Sequence, residues 1–210
     1  EQASSASTLD LREAYVNLWL GPLDLRLGQQ IIAWGRADAL NPTDNVTPKD
    51  MSFRSANEDD RRIANLAVRA TFNMAPVRLE TVWLPMYRMT RLPNFSLGGP
   101  LQIGPAQEPD ADLANGTGAA RLHLELPAFE ASLSYLIGYS TMPGVTYQGV
   151  ALDAAGAPTA TLAMTAYQHQ VVGFDLSTTL GDLAGLRAEI AWRQAPQRLS
   201  ELPNGSFKAV

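Results

Sequence analysis

The sequence contains no cysteine, only two lysines (Lys49 and Lys208) and only two histidines (His123 and His169). Without cysteine the chain has no disulfide framework and no cysteine-based zinc site. Its 16 basic and 21 acidic residues give a net charge of −5. No basic stretch is long enough to follow a phosphate backbone, so nucleic acid is not an expected partner. No apolar run approaches the roughly 20 residues of a transmembrane helix.

The sequence has strand periodicity instead. In eight runs the residues alternate between apolar side chains on one parity and polar or small side chains on the other, a pattern typical of β-strands. Only an occasional residue, such as Leu136, breaks the alternation. The runs are residues 11–20, 24–35, 66–74, 77–83, 120–126, 132–139, 172–180 and 186–193. This periodicity predicts an all-β fold.

The connections between these runs alternate between short and long. The short ones lie at residues 21–23, 75–76, 127–129 and 181–185, and the long ones at 36–65, 87–118 and 140–163. Outer-membrane barrels combine short periplasmic turns with long extracellular loops, and soluble barrels as a rule lack this asymmetry. The pattern therefore predicts an antiparallel up-and-down transmembrane β-barrel, with residues 1–210 in a single domain.

Charge placement is a second criterion. In a soluble barrel the apolar parity fills the interior, whereas in a membrane barrel it faces lipid and the polar parity lines the lumen. Here the polar parity mixes Arg and Glu with Gly, Ala and Ser, and both lysines lie in predicted loops, which suits a lumen better than a water-exposed surface. The predicted lumen-lining residues are Glu13, Arg26, Arg69, Arg78, Glu80, Arg121, His123, Glu125, Asp175, Arg187 and Glu189.

Aromatic residues gather near the ends of the predicted strands. Tryptophan and tyrosine prefer the interfaces between bilayer and water, where they form girdles around a barrel. We therefore predict interfacial positions for Phe72, Trp83, Tyr139 and Trp192. Trp19 and Trp34 fall on the polar parity, so each of them requires a bulge or a position in the lumen.

The order of the connections also assigns both ends of the sequence to one side. If the short turns are periplasmic, residues 1–8 and 196–210 both lie on the extracellular side. A complete bacterial barrel normally keeps both termini in the periplasm. We therefore expect the sequence to be an internal portion of a larger barrel that has at least one further strand at each end.

One stretch, LREAYVNLWLGPLDLRLGQQIIAWGRADALNPTD at residues 11–44, carries more than periodicity. Its REAY, LRLGxQ, WGRAD and NPTD elements resemble a recurrent pattern in an uncharacterised family of Gram-negative outer-membrane β-barrel, porin-like proteins. The later strands fit that family only as a general pattern. The resemblance implies a barrel in the bacterial outer membrane, with the lipid bilayer as its partner, and it supplies no substrate and no catalytic residue.

Three functions remain open at this point. The first is a porin-like channel for small polar solutes or ions, because opposed Arg and Glu side chains across a lumen orient dipolar solutes. The second is a plugged structural, adhesive or export-partner barrel, because buried charges also pair with one another and fill a narrow lumen. The third is a soluble lipocalin-like barrel with its apolar parity around an apolar ligand. We expect no enzymatic activity and no cofactor, and we leave homo-oligomer formation open.

The connection at residues 36–62 is rich in acidic side chains. It contains Asp38, Asp44, Asp50, Glu58, Asp59 and Asp60. Such a loop either folds inward as a constriction, holds calcium through its carboxylates, or simply forms solvated turns. No EF-hand spacing and no GxSxG motif is present, so the sequence assigns neither a metal ligand nor a catalytic residue.

Overall fold

The computed structural model describes residues 11–36, 41–93, 101–152, 156–181 and 183–195, so the predicted terminal loops and Asp38 lie outside it. Its strands, in chain order, are β1 (Ala14–Leu20), β2 (Leu23–Gln30), β3 (Asn65–Met74), β4 (Val77–Leu84), β5 (Leu101–Ile103), β6 (Thr117–Glu125), β7 (Phe129–Tyr139), β8 (Gly144–Leu152), β9 (Pro158–Thr165), β10 (Gln168–Leu180) and β11 (Ala184–Gln194). Two 3₁₀ helices, Glu58–Arg61 and Leu113–Asn115, lie in the connections. None of these described elements is a helix long and apolar enough to cross a membrane.

Eight strands form one antiparallel sheet in the order β1-β2-β3-β4-β6-β7-β10-β11. Each strand of this sheet pairs with the next one along the chain, so the predicted antiparallel up-and-down order is confirmed. All eight predicted runs form these strands. Within the described residues the sheet is open, because β1 pairs only with β2 and β11 only with β10. Closure into a barrel therefore stays a prediction.

Two parts of the strand prediction were wrong. β2 ends at Gln30 and not at Gly35, because the backbone then leaves the ladder and Ile31 donates its N–H to the Glu13 carboxylate at 2.7 Å. The long connections also contain a second sheet, in the order β5-β9-β8, where the sequence predicts only loop. Strand β5 has three residues, and a register shift between Tyr147 and Gly149 interrupts β8, so neither shows sustained alternation.

One face of the large sheet, here called the apolar face, carries the apolar parity. Cross-strand pairing links one residue from every strand into a continuous row of large apolar side chains. The row consists of Leu20, Leu23, Phe72, Leu79, Leu122, Leu133, Phe174 and Ile190. Most of these side chains are exposed, from 41% for Phe72 and Leu79 to 67% for Ile190. The described chain leaves this face uncovered.

The opposite face, here called the polar face, is covered over part of its area. Two of its cross-strand rows contain Glu80, Arg121 and Ser134, and His123, Ser132 and Asp175. All six of these side chains are buried, and Asp175 is only 1% exposed. The burial of the two faces is therefore the reverse of a water-soluble sheet, in which apolar side chains are inside.

Candidate functional site

The polar face is covered by the chain that follows β2. We call residues 31–36 and 41–48 the inward segment. The Trp34 indole Nε1 donates to Glu80 on β4 at 2.8 Å, and Arg36 Nε donates to Asp175 on β10 at 2.8 Å. The Thr43 hydroxyl donates to Glu189 on β11 at 3.1 Å. The inward segment therefore crosses the sheet from β4 to its β11 edge.

The inward segment has its own internal hydrogen bonds. The Thr47 hydroxyl accepts from the Ile32 backbone N–H at 2.9 Å and donates to the Ile32 carbonyl at 2.6 Å. Nearby, the Trp34 N–H donates to Asp44 at 3.3 Å. Gly35 has a φ of +97°, which favours glycine, and a Cβ there would lie 2.4 Å from the Asn41 side chain. These contacts give the segment a defined conformation on the sheet.

The buried apolar cluster of the protein lies between the inward segment and the sheet. Ile32, Trp34 and Val46 of the segment belong to the same cluster as sheet residues on the polar face. Those sheet residues include a cross-strand row of small or apolar side chains, Val82, Ala119, Leu136 and Val171. Leu136 breaks the alternation of its strand because the inward segment covers this part of the polar face.

A buried ion-pair network lies beside this cluster. Arg121 contacts Asp175 at 2.7 Å, and its Nε donates to the Ser132 hydroxyl at 3.0 Å. Ser132 in turn donates to Asp175 at 2.6 Å, while Arg36 contacts both Asp175 and Glu130. Asp175 thus accepts from two guanidinium groups and a hydroxyl, which is the pairing that a buried carboxylate requires.

A second pair connects β3 and β4. Arg69 contacts Glu80 at 2.6 Å, and Glu80 also accepts the indole N–H of Trp34. The Arg121 guanidinium lies 5.9 Å from the centroid of the Trp34 ring, within cation–π range. Trp34 therefore bridges the carboxylate of one pair and the cation of the other.

Of the remaining predicted lumen residues, Arg78, Glu125, Glu13 and Arg187 lie toward the margins of the polar face, whereas His123 lies within it. Arg78 and Glu125 form a 2.9 Å pair that is largely exposed near the short turns. Glu13 precedes β1, and Arg187 is exposed on β11. His123 is buried, and neither ring nitrogen has a hydrogen-bond partner among the described residues.

The β2–β4 side of the polar face contains an open recess of about 230 Å³. No residue of the inward segment lines it. The lining residues are Asn17, Trp19, Asp24, Leu25, Arg26, Arg69, Thr71, Asn73 and Arg78. Arg26 donates to Asn17 at 2.8 Å and lies 4.1 Å from the centroid of the Tyr15 ring. The inward segment and the recess thus occupy different parts of one face.

The four predicted interfacial aromatics divide into two groups. Phe72, Trp83 and Trp192 are exposed on the apolar face. Tyr139 is half-buried, because its ring lies 5.7 Å from that of Tyr87 and its hydroxyl contacts Asn115 at 3.4 Å. Tyr139 therefore packs against the long connections, and the Trp83 indole Nε1 also lies close to Gly116 of a long connection, where an added Cβ would be 2.8 Å from it.

The sequence did not identify the residues that cover the polar face. The sequence predicts either a bulge or a lumen position for Trp34 and assigns no role to Arg36, Thr43, Glu130 and Ser132. Two signals were present, namely the loss of alternation after Gln30 and the apolar Leu136 on a polar parity. Neither signal alone tells which distant strand the segment contacts.

Acidic side chains of the connection at residues 36–62, which overlaps the inward segment, are paired with basic side chains. Asp44 contacts Arg62 at 2.6 Å and Lys49 at 3.5 Å, and Asp59 contacts Arg62 at 2.8 Å. Within the described residues, no group of three His, Cys, Asp or Glu side chains could hold a metal ion. Of the three uses considered for this connection, the constriction stays a prediction, and the structure shows that Thr43 and Val46 of the connection lie against the polar face.

These features define an all-β protein built on an open, eight-stranded antiparallel sheet with a covered polar face and an uncovered apolar face. The chain belongs to DUF1302, a family of proteins of unknown function, whose family model matches residues 1–202. No curated protein and no solved structure matches the chain. The family description gives neither a location nor an activity.

Proposed function

We propose that this chain forms part of a β-barrel in the bacterial outer membrane, which conducts small polar solutes or ions past a constriction made by the inward segment. The main support for this proposal is the reversed burial of the two faces of the sheet. Large apolar side chains on one face are exposed, while Glu80, Arg121 and Asp175 on the other are buried. A bilayer outside and a polar lumen inside account for both features.

The energetics of the apolar face support a lipid environment. Burying a large apolar side chain is worth roughly 1.5–3 kcal/mol relative to leaving it in water. Most side chains of the row through all eight strands are exposed in the described chain, so most of this burial free energy is not realised there. A contiguous apolar patch of this extent is a mark of a protein or membrane contact. A lipocalin-like barrel would need the opposite facing of every strand.

The open edges support completion by further strands. A sheet in a bilayer has to pair all its backbone N–H and C=O groups, because hydrocarbon offers no partner for them. The described edges of β1 and β11 have no strand partner outside β2 and β10. In our proposal, additional strands close the barrel at these edges.

The inward segment is the basis for the constriction. It brings Trp34 and Arg36 onto the polar face and joins strands β4, β10 and β11 through side-chain hydrogen bonds. In a closed barrel a segment at this position narrows the lumen beside the β2–β4 recess. Solutes would then pass along the polar surface that the segment leaves uncovered.

The same contacts favour a second candidate, a plugged structural or export-partner barrel. Trp34 is 2% exposed, and Arg36 is held by Asp175, so the segment is packed and paired. If additional strands close tightly against this segment, no continuous water path remains. Neither candidate requires a catalytic residue or a cofactor.

Single-channel conductance in a planar bilayer tests the proposal. We expect stable conductance from the wild-type protein and a larger conductance from Trp34→Ala, because that change removes bulk from the constriction. Trp192→Ala is the matched control, since Trp192 is exposed on the apolar face and its loss should leave conductance unchanged. A barrel that inserts but stays silent would favour the plugged candidate. A chain that refuses detergent and folds in plain buffer would contradict both.

A further inference from the structure

The recess on the β2–β4 side of the polar face brings three guanidinium groups together. Arg26, Arg69 and Arg78 come from three neighbouring strands and all line the same space of about 230 Å³. We propose that this recess is a binding site for a small oxyanion, that is, a solute bearing a carboxylate or a phosphate. The inference deepens the proposed channel function by naming the class of solute.

The charge of the recess favours an anion. Of its lining residues, three are arginines and Asp24 is the only acid. Asp24 accepts a hydrogen bond from Asn73 at 2.9 Å. The carboxylates that pair with two of the arginines, Glu80 and Glu125, do not line the recess. Arg26 has no carboxylate within ion-pair distance among the described residues, so it is the cation of the recess that is left for an anion.

The arginines also retain donor capacity. A guanidinium has five N–H donors, in a planar fork that matches a carboxylate or a phosphate. The Nε atoms of Arg69 and Arg78 are buried and have no hydrogen-bond partner among the described residues. A solute in the recess would instead contact the accessible part of each guanidinium, since the Arg69 and Arg78 side chains are 29% and 40% exposed.

The other side of the polar face differs in charge. There Arg36 and Arg121 are matched by Asp175 and by Glu130, and the inward segment occupies the space between the strands. An added anion would meet carboxylates already in place. The oxyanion site is therefore confined to the β2–β4 side, where the arginines are accessible.

The size of the recess limits the ligand. Pockets for drug-sized ligands have volumes of about 300–1,000 Å³. A recess of about 230 Å³, open on one side, suits an ion or a small acid better than a large molecule. The polar amide and hydroxyl groups of Asn17, Thr71 and Asn73 add neutral hydrogen-bonding partners around the three cations.

Isothermal titration calorimetry tests the site, with the full chain in neutral detergent at fixed ionic strength. The probes are sodium succinate and sodium phosphate, and glycerol is the uncharged control. We expect saturable binding of one or both anions and none of glycerol. The double variant Arg26→Gln/Arg78→Gln should weaken binding about tenfold or more, because it removes two charge-assisted partners. It keeps the Arg69–Glu80 pair intact.

Arg187→Gln is the matched control, because Arg187 lies on β11, far across the sheet order from β2–β4. It should bind as the wild-type protein does. An equal loss of anion affinity in this control would overturn the assignment, and so would retained affinity in the double variant. Absence of saturable anion binding by the wild-type protein would also overturn it. That last result does not depend on whether the variants fold. The titration needs no bilayer, so the two proposals can fail separately. Anion binding by a barrel that does not conduct would overturn only the proposed channel. Conductance without anion binding would overturn only the proposed anion site.

Discussion

The two faces of the large sheet are made by the same strands and the same alternation, yet they have opposite environments. On the apolar face, Leu133 is 54% exposed, while its chain neighbours Ser132 and Ser134 on the polar face are buried. A water-soluble sheet buries its apolar parity, because that removes hydrocarbon from water. Alternation therefore predicts two unlike faces, whereas the solvent or packing partner of each face decides which of them is buried.

The polar face itself has two halves. On the β4–β11 side the inward segment supplies apolar packing and pairs with buried charges. In the recess formed by β1 to β4, no residue of the inward segment is among the lining residues, and three arginines line the open space. One half is therefore built as a packed interior and the other as a polar surface that solutes can reach.

The largest expected effect comes from breaking the buried network. Asp175→Ala removes the shared partner of Arg36, Arg121 and Ser132 and leaves buried cations unpaired. Loss of one partner of a buried ion pair costs about 3–5 kcal/mol. Equilibrium unfolding in urea with detergent present measures the change. Glu125→Ala is the control, because its pair with Arg78 is largely exposed and should contribute about 0–1 kcal/mol. Equal losses would contradict the distinction between buried and marginal pairs.

A charge on the apolar face tests the proposed lipid contact. Leu133→Arg places a cation in the continuous apolar row, and an arginine near the bilayer midplane costs a barrel about 2–4 kcal/mol. Folding into lipid vesicles, followed by urea titration, measures this loss. Leu183→Arg is the matched control, because Leu183 lies in a short turn and is 95% exposed, so we expect little change. If Leu133→Arg leaves the free energy of unfolding in vesicles unchanged, the apolar face does not contact lipid.

The packing of the inward segment against β10 can be tested at one glycine. A Cβ on Gly173 would lie 2.5 Å from the Ser134 hydroxyl oxygen and 2.9 Å from Thr43 Cγ2. Gly173→Ala should therefore destabilise the protein by about 1–3 kcal/mol through overpacking. At Gly185 on β11 a Cβ meets nothing within 4 Å, so Gly185→Ala should be neutral or mildly stabilising. Urea unfolding of both variants compares them, and a similar result for the two would contradict close packing at Thr43.

The smallest effect concerns the long connections. The Tyr87 hydroxyl donates to the Ser140 carbonyl at 2.9 Å, and burial, followed by the charges of Glu108 and Tyr167, raises its pKa above the usual value. Its protonated form therefore contributes stability that is complete below about pH 10 and declines as the pH rises through the higher folded-state value. Tyr87→Phe should cost about 0.5–1.5 kcal/mol near neutral pH.

The control for this variant is Tyr147→Phe, since Tyr147 is exposed on β8. It should change the free energy of unfolding by less than the measurement error. Spectrophotometric titration then follows tyrosinate formation in both proteins. We expect the titration of Tyr87→Phe to lack the tyrosine that ionises at the highest pH. If the missing tyrosine is instead one that ionises near the usual pH, the Tyr87 hydroxyl is not buried in solution.

Much of the main sheet could be predicted from the sequence, because strand pairing here joins neighbours along the chain. The repeat of two residues locates the strands, and the short turns at Gly21 and Ala75–Pro76 connect them in antiparallel pairs. The second sheet could not be predicted in the same way. Its strand β5 is short, β8 has a register shift, and β5 pairs in parallel with the distant β9.

The candidate site likewise has a part that could be predicted from the sequence and a part that could not. Alternation alone placed Arg69, Glu80 and Arg121 on one face, and their pairing followed only when the strands were aligned side by side. Arg36 and Asp175 are 139 residues apart in sequence, and no periodic pattern relates them. Their contact depends on the path of the inward segment after Gln30, which the local sequence does not specify.

Local sequence thus determined the strands of the large sheet, their antiparallel order and the separation of apolar from charged side chains, since each of these depends on residues close together along the chain. Only the tertiary structure decided that the chain after β2 folds over the polar face, that Trp34 and Arg36 bridge distant strands, and that an arginine-lined recess stays uncovered. The physical reason is that charge pairing and close packing act through space, and side chains far apart in sequence meet only when the whole sheet has formed.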